Sequence, residues 1–171
     1  MLIDDFNHIV DSWINGLERY HFTQLYIKPS PDGWSLGQLY RHLIDDTNFY
    51  MDQIRICIST NDHADEDASP AAKNMFSNNE FPDERIEGAP SNSSIPQPAS
   101  KEQLSGSLEK IKNEMNRLAT LMAASKYKGK TKHPGLNYLN AHEWLQFAEM
   151  HFRHHLRQKK RLDEFLKMNT Q

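Results

Sequence analysis

An all-α chain folded as a four-helix bundle is what the sequence predicts, and three observations predict it. Four long segments carry apolar residues at three- and four-residue spacing, the period of a helix with one buried face. Three of them open on Ser or Asn with Gln or Glu three residues later, a pair that caps a helix start. No alternating run of any length competes as a strand, and no internal repeat is visible. The chain of 171 residues and 19.9 kDa fits one domain, 1–171, with a long polar insertion at 59–99.

The first helix is expected from Leu2 to Tyr20, where Phe6, Ile9, Val10, Trp13, Ile14, Leu17 and Tyr20 form a stripe. Pro29, Pro31 and Gly33 then turn the chain. Ser35 and Gln38 start the second helix, with Leu36, Leu39, Leu43, Tyr50, Ile54 and Ile58 on its buried face. From Ser59 to Ala99 periodicity vanishes among acidic residues, prolines, Asn and Ser. So long a loop is either a tolerated insertion or a lid, and Phe76, Phe81 and Ile86 are expected to pack parts of it on the body. Ser100 and Gln103 start the third helix, whose stripe is Leu104, Leu108, Ile111, Met115, Leu118 and Met122. Gly129, Pro134 and Gly135 break the next stretch. Asn140, with Glu143, opens a fourth helix reaching about Leu166, its last third crowded by Arg157, Lys159, Lys160 and Arg161. The long second connection leaves both simple up-and-down and crossover topologies open.

Composition narrows the function. Hydrophobic residues are 37% and aromatics 10%, enough for a core. The longest apolar runs are far too short to span a bilayer, so no membrane partner is expected. The N-terminus carries Asp4 and Asp5 and no apolar secretory core, and one cysteine, Cys57, excludes an internal disulfide and a Cys-based zinc site. A cytoplasmic protein is the expectation. Twenty basic against 23 acidic residues give a net charge of −3, which argues against nucleic acid as a partner; the Arg153–Arg161 run reads as a solvated helix face.

Nine histidines are the unusual feature. The fourth stripe runs Trp144, Ala148, His151, His155, Gln158, Leu162, Phe165, so two imidazoles and an amide stand where leucine is expected. A buried imidazole needs partners or a ligand. Spaced by four, His151 and His155 share a face and can meet one metal ion; two satisfied core histidines fit the same spacing. Phe152 replaces the glutamate of H-E-x-x-H, so the zincin pattern fails. His42, on the flank of the second helix, is the best third ligand, and Asp46 either orients an imidazole or is solvated. His154 reads as a rim residue and His133 as a turn residue, while His8, His21, His63 and His142 read as surface residues. Di-iron Glu-x-x-His pairs, a P-loop, G-x-G-x-x-G and G-x-S-x-G are absent.

The stretch Trp34-Ser35-Leu36-Gly37-Gln38-Leu39-Tyr40-Arg41-His42-Leu43 resembles the second-helix start of the DinB/YfiT-like proteins. Glu143-Trp144-Leu145, the His151–Gln158 stretch and His133-Pro134 are similar to the same family. The resemblance implies an up-down-down-up four-helix bundle with a divalent metal on His42, His151 and His155. It also implies a metal-dependent hydrolase, or a thiol-dependent transferase or isomerase using a small thiol such as bacillithiol or mycothiol, frequently as a homodimer. On that footing Zn²⁺ or Ni²⁺ activates water or a small thiol toward a small-molecule substrate. No catalytic base is named. The rival expectation is a non-catalytic, stress-related binding protein with a structural or vestigial metal site.

Overall fold

The computed structural model describes residues 1–82 and 94–169. The helices are α1 (Leu2–Gly16), α2 (Leu36–Cys57), α3 (Pro70–Asn78), α4 (Lys101–Ala124), α5 (Ala141–His154) and α6 (Leu156–Asn169). Two short strands, β1 (Lys130–His133) and β2 (Asn137–Asn140), lie between α4 and α5. Ile86, expected to help pack the insertion, lies outside the described residues.

The stripes become the core. Phe6, Val10 and Trp13 of α1 are fully buried, as are Leu36, Leu39, Leu43 and Ile54 of α2 and Leu104, Leu108, Met115 and Leu118 of α4. Trp13 meets Tyr40 edge-on with ring centroids 5.0 Å apart, and Phe6 meets Phe152 at 6.1 Å. Such edge-to-face pairs add about 0.5–1.5 kcal/mol each beyond the area they bury.

Around the bundle the order is α1, α4, α2, α5, so α1 sits diagonal to α2 and α4 diagonal to α5, while α2 and α4 are neighbours. Paired residues fix the directions. Asn7 exchanges amide hydrogen bonds with Asn116 at 3.0 and 2.7 Å, and Asp11 accepts from Lys112 at 2.7 Å, so α1 and α4 are antiparallel. Arg55 reaches Glu114 at 2.7 Å and the Ser125 hydroxyl donates to the Ile58 carbonyl at 2.8 Å, so α2 and α4 are parallel. Phe6 packs on Phe152 and the Tyr20 hydroxyl donates to Asp163, so α1 runs with α5 and α6. The topology is up-down-down-up. Two consecutive parallel helices need a connection as long as the bundle, which is what the 59–99 segment supplies.

The structure departs from the sequence reading in four places. The first helix stops at Gly16 and a 3-10 turn, Leu17–Arg19, follows. The insertion holds α3, capped by Ser69, whose hydroxyl accepts from the Ala72 N–H, with Pro70 in its first turn. An antiparallel hairpin pairs Lys130 with Asn140 and His133 with Asn137. Its strands are four residues each, Lys-Thr-Lys-His and Asn-Tyr-Leu-Asn, too short and polar to show alternation. The fourth helix is two helices, interrupted at His155. The interruption shifts the buried face of the second half onto Lys159, Leu162 and Leu166, and Gln158 and Phe165 are only partly buried.

The expected caps form. Ser35 with Gln38 and Asn140 with Glu143 are complete boxes. At α4 the Ser100 hydroxyl accepts from the Gln103 N–H at 2.9 Å, but the Gln103 side chain takes the Ala99 N–H instead. Among the described residues no helix is long and apolar enough to cross a membrane.

Candidate metal centre

His42 comes from the first third of α2, and His151 and His155 from the end of α5 and the break before α6. α2 and α5 are antiparallel neighbours, so Tyr50 of α2 meets Trp144 and Phe147 of α5 at 5.6 and 5.1 Å, while His42 falls opposite His151. The flank of α2 on which His42 lies is buried because α5 covers it, leaving His42 4% exposed and His151 7%.

The three rings converge through the same atom. His42 Nε2 is 3.1 Å from His151 Nε2, and His155 Nε2 is 3.2 Å from His151 Nε2. All three ligand atoms lie within 4.8 Å of one another. Four nitrogens around a tetrahedral ion at the usual metal–nitrogen length stand about 3.3 Å apart, so the spacing suits a single cation. His155 Nδ1 donates to Gln158 Oε1 at 2.9 Å, which in the neutral ring leaves the Nε2 lone pair facing the cluster. His151 Nδ1 is buried with no hydrogen-bond partner among the described residues.

Electrostatics keep the His151 and His155 rings neutral. Burial, followed by the neighbouring His155 and His42, holds the His151 imidazole well below its ordinary range. Burial lowers His155 to about 4 against the raising effect of Gln158. Neutral imidazoles bind cations; protonated ones do not.

The surroundings are aromatic. Trp34 lies over His42 at 4.8 Å, Phe147 stacks along His151 at 6.2 Å, and Phe81 meets His154 at 4.8 Å. The expectation that Phe81 packs on the body is met. Asp46 carries the polar side of the cluster. Its Oδ2 stands 3.6 Å from His42 Nδ1 and 3.9 Å from His151 Nε2, and the Tyr50 phenol lies beside it. Burial and the adjacent Asp45 raise its carboxyl to about 6.

His133 stays out of the cluster. It ends β1, accepts the Gly135 N–H on Nδ1 at 3.0 Å and packs on Phe147 at 5.0 Å. It is the last strand residue before the turn, not in the turn itself, and it is buried. His154 borders the site at 5.2 Å from His155. The roles of Gln158, Tyr50 and Trp34 were missed in the sequence. Gln158 had a signal in its three-residue spacing from His155; Trp34 and Tyr50 reach the rings only through the packing of α2 on α5.

No curated protein matches. Among solved structures, YfiT from Bacillus subtilis, described as a probable metal-dependent hydrolase with an unusual four-helix bundle topology, is similar with a TM-score of 0.61 at 15% identity. The match covers 97% of this chain and 86% of that one. At such identity the likeness shows the fold, and the up-down-down-up order derived above agrees with it. The sequence itself matches a family model over residues 17–158, a span containing all three converging histidines. The chain therefore belongs to the DinB superfamily.

Proposed function

We propose that this protein is a metal-dependent enzyme in which His42, His151 and His155 hold one divalent cation, Zn²⁺ or Ni²⁺. The observation that carries the reading is the convergence of three Nε2 atoms, from two buried rings and one half-buried ring, at 3.1 and 3.2 Å. Three lone pairs so close repel unless a proton or a cation stands between them, and neutral imidazole is a donor that Zn²⁺ and Ni²⁺ both favour. The description of YfiT as a probable metal-dependent hydrolase points to the same chemistry.

A divalent cation at such a site acts as a Lewis acid, lowering the pKa of water or a thiol that reaches it. The chain's own residues supply the rest. Gln158 fixes the His155 tautomer and ring orientation. Trp34 and Phe147 wall the imidazoles with apolar surface, which keeps the local dielectric low and strengthens every charge interaction there. With three protein ligands, coordination positions stay open for a small-molecule substrate. The reactions that fit are hydrolysis and transfer of a low-molecular-weight thiol.

Metal analysis tests the reading. Protein purified without chelator and reloaded with Zn²⁺ is expected to carry about one equivalent, and His151→Ala, which removes the central ring, to carry almost none. Full retention of the metal by His151→Ala would defeat the proposal. A screen of ester, amide and thiol-transfer substrates with the loaded enzyme, and EDTA as control, then separates hydrolase from transferase.

A further inference from the structure

His42, Asp46 and Tyr50 occupy successive turns of α2, four residues apart, and present an imidazole, a carboxylate and a phenol toward α5. The carboxylate is set back from solvent, with a side chain 26% exposed. Its ion pairs among the described residues are to His42 and His151, and no lysine or arginine pairs with it there. The adjacent Asp45 behaves otherwise: it is 54% exposed and faces Arg41 at 3.9 Å. A partly buried carboxylate without a permanent cation is costly unless something positive comes to it.

The position of the oxygen says what that is. Asp46 Oδ2 is 3.6 Å from His42 Nδ1, too long for a hydrogen bond that would lock the ring. The same oxygen is 3.9 Å from His151 Nε2, one of the three atoms that converge. The carboxylate thus stands beside both His42 Nδ1 and one of the converging nitrogens. Tyr50 lies against it, one turn on, and the phenol ring is fixed by stacking on Trp144 at 5.6 Å and by contact with His151 at 5.8 Å.

Resting on the three-histidine reading above, we infer that Asp46, braced by Tyr50, is the fourth protein group of the cation centre, supplying the negative charge that three neutral imidazoles lack. Three imidazoles leave a dication's charge wholly uncompensated in an apolar surround. One carboxylate facing the same point halves the net charge and strengthens binding. The ligand class is a divalent cation, and the carboxylate sets how tightly it is held and the geometry around it.

Titration of metal-free protein with Zn²⁺, and with Co²⁺ for its visible absorption, tests the inference. Asp46→Asn keeps the shape but removes the charge. It is expected to weaken Zn²⁺ binding about 10–100-fold and to alter the Co²⁺ spectrum, with an unchanged melting temperature of the metal-free protein. Tyr50→Phe keeps the ring packing and is expected to weaken binding several-fold; Asp46→Glu is expected to restore most of the affinity. Wild-type affinity in Asp46→Asn overturns the assignment while leaving the three-histidine centre standing. If Asp46→Asn does not fold, the Tyr50→Phe titration decides, and wild-type affinity there overturns the assignment. Absence of Zn²⁺ and Co²⁺ binding by the wild-type chain overturns both readings.

Discussion

Single residues divide by how far their partners lie. His151 and His155 were legible as a pair because one helical turn separates them on a stripe otherwise apolar, a local fact. His42 is 109 positions from His151, and its flank placement allowed a partner without specifying one. His133 shows the opposite case: the turn was legible in Pro134 and Gly135, but its burial against Phe147 was not, since the hairpin folds over α5 only in three dimensions. That burial makes a prediction. Desolvation lowers the His133 imidazole to about 4 from an ordinary 6.5. Above pH 6.5 the ring is neutral folded and unfolded. Between 6.5 and 4 the unfolded chain takes up a proton that the folded one refuses, so this ring's contribution to stability falls as pH falls, by about 1.4 kcal/mol per pH unit. His133→Phe removes that dependence. In urea melts with EDTA present, the wild type is expected to lose about 2 kcal/mol more than the variant between pH 6.5 and pH 5. The difference isolates this ring from His151 and His155, which shift in the same direction, and from Asp46, whose raised carboxyl acts in the opposite one. Equal losses in the two proteins reject the account.

At the scale of elements, helix starts were legible and helix interiors less so. Ser35, Ser100 and Asn140 each place a side-chain oxygen on the N–H three residues later, because capping depends on local geometry alone. The interruption at His155 has no Pro or Gly to announce it, and periodicity runs through it unbroken in the sequence. The hairpin escaped for lack of length, and α3 because its Ser69-Pro70 start stands inside a polar stretch with no apolar stripe to follow it. Glycines sharpen the contrast between local and tertiary constraint. Gly37, in the first turn of α2, has no room for a side chain: a Cβ there would lie 2.7 Å from the Pro98 ring and 2.8 Å from the Leu25 carbonyl oxygen. Gly106, inside α4, would place its Cβ with nothing within 4 Å. Gly37→Ala must push apart the segments leading into α2 and α4, and is expected to cost about 1–3 kcal/mol. Gly106→Ala only removes backbone freedom from the unfolded chain and is expected to stabilise by about 0.5–1 kcal/mol. Chemical denaturation of the two variants checks this, and a destabilised Gly106→Ala or an indifferent Gly37→Ala would show the packing to be otherwise.

For the whole molecule, the all-α class was legible from the stripes, and the helix order only through the long second connection and the family resemblance. Periodicity says which face of a helix is buried, not which helix buries it. The up-down-down-up path sets α2 beside α5, although residues 58–140 separate them in the chain, and so closes the histidine cluster across the molecule. A cation at that cluster joins two helices that meet only in the folded state. The unfolded chain cannot present the same three donors together, so binding is linked to folding. At a free concentration 100 times its dissociation constant, the cation is expected to add about 2.7 kcal/mol. For a chain of this length that raises the melting temperature by roughly 5–10 °C. EDTA should reverse the rise. His42→Ala, which leaves α5 intact but removes the ring from α2, should lose most of the increment, because His151 and His155 lie within a single turn and are nearly as close in a helical fragment as in the bundle. A full Zn²⁺-dependent rise in His42→Ala would mean that the ion holds α5 and α6 alone and does not bridge the bundle.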